Sequence, residues 1–201
     1  MPDLLILLAF IPAALALNLT PGADILFCLG QGVRSGPRSA WAASAGISLG
    51  GMVHVFVAGM GLGAVIAAVP WAFDAIRWIG VAYLLYLAAK TLRGAQSNAP
   101  EPQAVARAFR TGLMVNLTNP KVILFVLAFV PQFVDPTKPV LAQFMVFGMV
   151  MGIGGFFING GVGAFAGTVG KRVARGSRAL DYVASGVFVA LAAKLAVLER
   201  A

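Results

Sequence analysis

The sequence predicts an all-α integral membrane protein with six transmembrane helices, arranged as two inverted three-helix repeats. Of its 201 residues, 60% are hydrophobic and 11% are charged, whereas soluble domains carry about 25% charged residues. The mean hydropathy is +0.90. The segment Asn-Leu-Thr-Pro-Gly at 18–22 recurs as Asn-Leu-Thr-Asn-Pro at 116–120, and each copy interrupts a long apolar stretch. Together, the composition and the repeated break favour a helical membrane protein with internal duplication.

The apolar stretches are long enough to cross a bilayer, which takes about 20 residues per helix. The first stretch lacks the basic start of a secretory signal, since its only early charge is Asp3, so we interpret it as a span. The first span is expected to break near Pro21 and the fourth near Pro120. The predicted spans cover residues 4–28, 39–68, 71–91, 109–133, 141–168 and 180–198.

The chain divides into a first repeat at 1–93, a polar connecting loop at 94–108 and a second repeat at 109–201. Because each half holds an odd number of spans, the second half must enter the membrane from the opposite side. The segment Leu-Ala-Ala-Lys at 87–90 reappears at 191–194, an offset of 104 residues. At that offset four glycines also match four others, namely Gly50, Gly51, Gly59 and Gly63 with Gly154, Gly155, Gly163 and Gly167.

The loop charges predict the orientation in the membrane. The net charge is +8, but the basic residues lie in short loops, which fits membrane orientation rather than nucleic-acid binding. By the positive-inside rule the strongly basic side faces the cytoplasm, and both termini face outward. The ten basic residues on the predicted cytoplasmic side are Arg34, Arg38, Lys90, Arg93, Arg107, Arg110, Lys171, Arg172, Arg175 and Arg178.

The two helix breaks are the first candidates for a functional site. Proline removes a backbone donor and disrupts the preceding turn, and the bilayer core offers no water to replace that bond. Matched breaks in two halves are typical of a secondary transporter with a binding site at the membrane midplane. We expect the threonines to cap the helices that restart after the breaks. The candidate substrate-binding residues are Asn18, Thr20, Pro21, Gly22, Asp24, Asn116, Thr118, Asn119, Pro120 and Lys121.

Asp24 and Lys121 follow the two breaks and are predicted to lie at membrane depth. A charge at the centre of a membrane helix costs about 2.5–3.5 kcal/mol on insertion scales, so such residues normally pair or face water. We expect them to approach each other or to line one aqueous cavity. Asp24 would bind a substrate ammonium or carry a coupling proton, and Lys121 would bind a carboxylate or act as counter-ion. The alternative for Lys121 is an interfacial position that reaches the headgroups.

Other polar and small residues in the predicted second and fifth spans are candidates for the same site or for packing. His54 is a proton-coupling candidate, the alternative being a hydrogen-bonded packing residue. Asn159 is expected to line the same cavity from the fifth span. The four-residue spacing of Gly46 and Gly50 predicts close helix packing, and such small residues also permit a homodimer.

The composition argues against several other functions. A single cysteine, Cys28, and a single histidine exclude an internal disulfide and a zinc site of several histidines, and no cofactor is expected. No catalytic cluster is evident, so we do not expect an enzyme. A metal-cation transporter on the same architecture is disfavoured, because hard cations need several oxygen ligands and only Asp24 is placed to serve. A membrane scaffold would not need two matched breaks.

Several segments around and between the two breaks form a recognisable pattern. They are Pro-Gly-Ala-Asp at 21–24, Gly32, Arg-Ser-Gly-Pro-Arg at 34–38, Ala-Gly-Ile-Ser-Leu-Gly at 45–50, His54, Phe-Arg-Thr-Gly-Leu at 109–113 and Asn-Leu-Thr-Asn-Pro-Lys at 116–121. This pattern resembles that of the LysE/RhtB family of bacterial inner-membrane transporters. Ala23 stands where the family pattern usually has a second proline after the first break. The resemblance implies export of an amino acid or close derivative across the inner membrane, driven by the proton gradient.

Overall fold

The computed structural model describes residues 2–20, 22–68 and 104–166, with individual helical positions between 75 and 89 and between 182 and 196. Most of the predicted third and sixth spans, much of the connecting loop and Pro21 lie outside the described residues. Every regular element in the described part is helical. The helices are α1 (Leu4–Leu19), α2 (Ala23–Ser35), α3 (Pro37–Ala68), α4 (Val105–Leu117), α5 (Pro120–Leu124) and α6 (Val140–Ala164).

Four of the predicted spans correspond to these elements. Within α3, the segment Pro37–Gly61 is long and apolar enough to cross a membrane, and so is α6. Two bent helix pairs each qualify as one broken span: α1 with α2, bent by 54°, and α4 with Pro120–Phe133, bent by 50°. The described residues therefore contain two to four membrane-spanning elements, and the protein is a helical, multi-pass membrane protein.

The bends follow from the residues that precede proline. Steric clash with a proline ring disfavours the helical conformation in the preceding residue and moves it to extended backbone. Thr20, at the end of α1, has φ −67° and ψ 121°. Asn119, before Pro120, has φ −79° and ψ 105°. Both predicted breaks are thus present in the described backbone: α1 ends two residues before Pro21, and α4 ends three residues before Pro120.

The broken second pair continues past α5 in two irregular turns. Phe125–Phe129 forms a π-helical turn and Val130–Phe133 a 3-10 turn. Their phenylalanines pack with rings from α1 and α6, and Phe10 lies 4.7 Å from Phe147 and 5.2 Å from Phe133 between ring centroids. Lipid tails are as apolar as these side chains, so such close packing, rather than escape from water, holds the helices together.

The two long helices α3 and α6 cross in opposite directions. Val55 lies against Gly148, Ser48 Oγ donates to the carbonyl of Gly152 at 3.0 Å, and Ser44 Oγ donates to the carbonyl of Phe156 at 2.8 Å. Residue numbers fall along α3 as they rise along α6, so the helices are antiparallel. The hydroxyls of Ser44 and Ser48 thus connect helices that belong to different halves of the chain.

Glycine allows these helices to approach closely. A Cβ atom on Gly46 of α3 would lie 2.8 Å from the backbone nitrogen of Leu113 in α4, and the carbonyl of Ala43 faces Gly112. Real Cβ atoms essentially never lie this close to backbone. The glycine spacing in the sequence therefore serves helix packing within one chain, as predicted.

A surface ion pair connects the start of α1 to the loop before α6. Lys138 Nζ lies 3.1 Å from Asp3 and 3.4 Å from Asp135. Hydrogen bonds from the side chain and backbone of Thr137 lower the pKa of Asp135, and the hydrogen bond to Asp3 raises the pKa of Lys138. The fully buried Gln143 of α6 closes the same loop by donating to the carbonyl of Asp135 at 2.8 Å.

We expect Gly163→Ala in α6 to lower the thermal stability of the detergent-solubilised protein. The added Cβ would lie 2.5 Å from the carbonyl oxygen of Cys28, which is backbone and cannot move aside; overpacking of this kind typically costs about 1–3 kcal/mol. Gly161→Ala, two residues away, is the matched control, because nothing lies within 4 Å of its Cβ position. Equal stability of the two variants would contradict the packing described.

Candidate functional site

One cavity lies where the two helix breaks meet α3 and α6. It holds about 400 Å³ of empty space, part of it open to solvent. It brings together polar residues from both halves of the chain, and their positions in the sequence are far apart. The predicted candidates that line it are Asn18, Asp24, Asn116, Asn159 and Lys121.

Lys121 is buried in this site, with 6% of its surface exposed. Its Nζ donates to the carbonyl of Leu17 at 3.0 Å and to the carbonyl of Thr20 at 3.2 Å. Both carbonyls belong to the C-terminal end of α1, which the break leaves without helical partners. A lysine there also meets the negative end of the helix dipole. Lys121 therefore does not reach the headgroups but closes the break of the other half.

Asp24 lies in the first turn of α2 and is 6% exposed. Its Oδ2 accepts a hydrogen bond from Asn116 Nδ2 at 3.3 Å, while its Oδ1 is buried and has no partner. Among the described residues, the only ion pairs of 4.0 Å or less are those that Lys138 forms, so Asp24 has no charged partner within this distance. Asp24 and Lys121 thus line one cavity without direct contact, which is one of the two arrangements that the sequence predicts.

The two asparagines of the repeated motif occupy matching environments. Asn116 lies against the pair Gly50 and Gly51 of α3, where a Cβ on Gly50 would lie 2.8 Å from Asn116 Oδ1. Asn18 lies against Gly154 and Gly155 of α6, at 3.1 Å from the Cβ position of each. Asn18 Nδ2 also donates to the carbonyl of Met151 at 3.0 Å. Missing side chains allow this approach, at Gly50 for Asn116 and at both Gly154 and Gly155 for Asn18.

The predicted threonine caps are wrong. Thr20 Oγ1 donates to the carbonyl of Ala16 at 2.6 Å, and Thr118 Oγ1 donates to the carbonyl of Met114 at 2.8 Å. Both hydroxyls bind the helix that ends at the break rather than the helix that begins after it. A threonine hydroxyl reaches the carbonyl four residues earlier without leaving helical geometry, and here that carbonyl also accepts from the backbone nitrogen of the same threonine.

The restarting helices are capped differently from each other. Asn119 is the N-cap of α5, and its side chain accepts from the backbone nitrogen of Lys121 at 3.0 Å. Pro120 follows as the first residue of α5, where its missing N–H costs nothing. Gly22 is the N-cap of α2, without a side-chain cap, and lies next to Lys121 Nζ. Pro21 lies outside the described residues.

His54 contacts the second break from α3. Its Nε2 lies 3.2 Å from the carbonyl oxygen of Asn116, a distance at which a protonated Nε2 donates a hydrogen bond. Asn116 lies in the last turn of α4. Each break therefore meets a side chain of the other half: Lys121 at the end of α1, and His54 at the end of α4, where the carbonyl of Asn116 also accepts from the backbone nitrogen of Asn119 at 2.9 Å.

Sequence reasoning missed the part of the site that α3 and α6 supply through small residues. Ser48, Gly51, Gly152 and Gly155 all line the cavity. Only their antiparallel crossing brings them to the breaks, although the glycine matches at an offset of 104 residues already indicated related positions. In the described part of the chain, no group of three or more His, Cys, Asp or Glu residues could hold a metal ion.

Comparison with known proteins assigns the family. The model of the LysE type translocator family matches residues 15–199. The chain belongs to the LysE type translocator family. A homoserine/homoserine lactone efflux protein of Salmonella typhimurium is 34% identical over 145 residues, which is 70% of this chain and 70% of the relative. A protein of Salmonella typhi with the same name shares the same identity and coverage.

A further relative, from Vibrio cholerae serotype O1, is described only as an uncharacterized membrane protein. It is 34% identical over 151 residues, covering 73% of this chain and 74% of the relative. No solved structure matches the chain. Membership of a translocator family and the apolar helices together make this LysE-type protein a membrane transport protein, as its broken helices predict.

We expect Lys121→Met to destabilise the protein strongly. The substitution leaves the carbonyls of Leu17 and Thr20 without the donor that now reaches them. A buried acceptor without a partner costs about 1–3 kcal/mol. The measurement is the midpoint of thermal unfolding in detergent.

Lys138→Met is the control for the loss of a lysine charge, since Lys138 lies in an exposed ion pair. We expect it to change the unfolding midpoint little. A comparable drop in both variants would contradict the role of Lys121 at the end of α1.

Proposed function

We propose that this protein exports an amino acid or close derivative, such as homoserine, across the bacterial inner membrane. The observation that carries the proposal is the single cavity at the two helix breaks, in which a buried carboxylate and a buried amine both lie. Buried charges at membrane depth are expensive and mark substrate or ion pathways. Relatives named for efflux of homoserine and homoserine lactone support this substrate class.

The proposed architecture is two inverted repeats that rock around the cavity. Three contacts support it. Ser48 bonds Gly152, its own counterpart at an offset of 104 residues. Asn116 lies against Gly50 and Gly51, and Asn18 lies against the matching pair in α6. Exchange of equivalent contacts between halves is what a pseudo-twofold axis in the membrane plane would produce.

The proposed orientation places both termini in the periplasm. The loops that carry most of the arginine and lysine residues would then face the cytoplasm, as the positive-inside rule requires. In this orientation the surface ion pair of Asp3 and Lys138 lies on the periplasmic side. Export then requires that the cavity open in turn toward each side of the membrane.

Proton coupling would act at Asp24. Among the described residues lining the cavity, Asp24 is the only carboxylate. An ionised carboxylate accepts an ammonium group and a protonated one does not, so proton and substrate would bind there alternately. Alternating occupation of one group is sufficient for exchange: the substrate leaves toward the periplasm and a proton returns in its place.

His54, the second proton-coupling candidate, has a positioning role in this proposal. A proton on Nε2 donates a hydrogen bond to the carbonyl oxygen of Asn116. That carbonyl does not take up the proton itself. His54 reaches Asp24 only indirectly, since Asn116 lies between them and bonds the carboxylate through its amide. His54 would therefore keep Asn116 in place rather than carry the coupled proton.

We expect Asp24→Asn to abolish coupled export. Proteoliposomes are preloaded with labelled homoserine, threonine or lysine and diluted into acidic or neutral buffer. Wild-type efflux of at least one amino acid should accelerate in the acidic buffer, and Asp24→Asn should lose this acceleration. Asp135→Asn, which removes an exposed loop carboxylate, is the matched control and should behave as wild type.

The outcomes separate export from its coupling. If no amino acid moves through the wild type, the proposed substrate class is wrong, and metal-ion flux becomes the next assay. If efflux occurs but does not respond to external pH in the wild type, export stands and proton antiport fails.

We expect His54→Gln to retain the pH response of efflux. Glutamine keeps an N–H donor for the carbonyl of Asn116 but cannot titrate. The measurement is the ratio of efflux rates in acidic and neutral buffer, compared with the wild-type ratio. A ratio of one would instead make His54 the coupled proton carrier.

A further inference from the structure

Three oxygen atoms around the cavity are buried and have no hydrogen-bond partner: Asp24 Oδ1, Asn116 Oδ1 and Asn159 Oδ1. Asn116 and Asn159 are each 3% exposed, and all three residues line the cavity. Buried polar atoms almost always have partners, and an exception calls for an explanation. All three atoms accept hydrogen bonds, so the missing partner is a donor or a cation.

The three residues come from three different helices. Asp24 lies in α2, Asn116 in the last turn of α4 and Asn159 in α6. The bond from Asn116 Nδ2 to Asp24 Oδ2 turns the amide so that its oxygen stays free. One carboxylate oxygen and two amide oxygens are the acceptors that an ammonium group, with three donors and no acceptor, can satisfy.

The amine of Lys121 is already engaged elsewhere. Two backbone carbonyls of α1 accept from Nζ, and both would lose their partner if the amine turned toward a substrate carboxylate. The adjacent position is Gly22, whose missing side chain leaves room for this amine. The ammonium group of Lys121 therefore binds the end of α1, whereas the three unpaired oxygens remain available to a ligand.

We infer that Asp24, Asn116 and Asn159 form a subsite for the ammonium group of the substrate, and that Lys121 is a positioning residue rather than the ligand of its carboxylate. The inference rests on the proposed export function and names the group that the site recognises. A substrate whose carboxylate is masked is then still exported, whereas a substrate whose amine is acylated is not. A monovalent metal ion is the other cation that such oxygens could take.

The test measures efflux of labelled homoserine, homoserine amide and N-acetylhomoserine from proteoliposomes in sodium-free choline buffer. The amide should leave at a rate comparable to homoserine. N-acetylhomoserine should leave about tenfold more slowly or not at all. Acylation removes the hydrogen bonds of a charged ammonium group, and the loss of one such bond lowers affinity about tenfold or more. Asn159→Leu should slow both amine-bearing compounds, with Gln132→Leu, outside the cavity, as control.

Lys121→Met separates positioning from carboxylate binding. If Lys121 only holds the end of α1, the variant is less stable but keeps the wild-type ratio of homoserine to homoserine amide efflux. If Lys121 binds the carboxylate, homoserine efflux falls selectively and the ratio drops. The second result overturns the positioning role.

The remaining outcomes are also decisive. Efflux of N-acetylhomoserine as fast as that of homoserine overturns the ammonium subsite while leaving export intact. If homoserine efflux occurs only when sodium is added, the three oxygens bind a metal ion, and the ammonium subsite is overturned as well. If none of the three compounds leaves even with sodium, homoserine export itself fails, and the subsite falls with it.

Discussion

The structure depends on pairing the backbone groups that two helix breaks expose inside a membrane. A bilayer core offers no water, so each freed carbonyl needs a partner from the protein. Lys121, from the second half, supplies it at the end of α1, and His54, from the first half, contacts the end of α4. The carbonyls at the end of α1 therefore have this donor only while the two halves are assembled. This mutual dependence explains why the polar residues converge on one cavity.

Close approach of the helices makes this pairing possible, and glycine makes the approach possible. The amide of Asn116 lies over Gly50 and Gly51 of α3, and the amide of Asn18 lies over a glycine pair of α6. A Cβ on Gly50 would lie 2.8 Å from Asn116 Oδ1, and one on Gly154 or Gly155 would lie 3.1 Å from the amide of Asn18. In a membrane, where packing rather than water drives helix association, small residues at such crossings contribute both contact and room for polar groups.

The region of the two breaks combines polar atoms that are satisfied with polar atoms that are not. Thr20, Thr118 and Asn119 use their side chains to complete the helix ends, which stabilises the fold. Asp24 and Asn159 each keep a buried oxygen without a partner, which destabilises it. Proteins depart from full satisfaction of polar groups mainly at functional sites. Asn119 belongs to both groups, since its Oδ1 caps α5 while its buried Nδ2 has no partner.

The sequence by itself determined the helical membrane class, the apolar segments that form two to four spans in the described residues, and both breaks, because hydropathy and proline geometry act locally. It also indicated the polar residues of the cavity, since a charge such as Asp24 is too costly in a membrane without a purpose. Only the tertiary structure decided the partners. That Lys121 reaches α1 and that Ser48 and Gly152 join the site both depend on how helices cross. Each of these contacts joins residues 104 positions apart, and no local pattern specifies them.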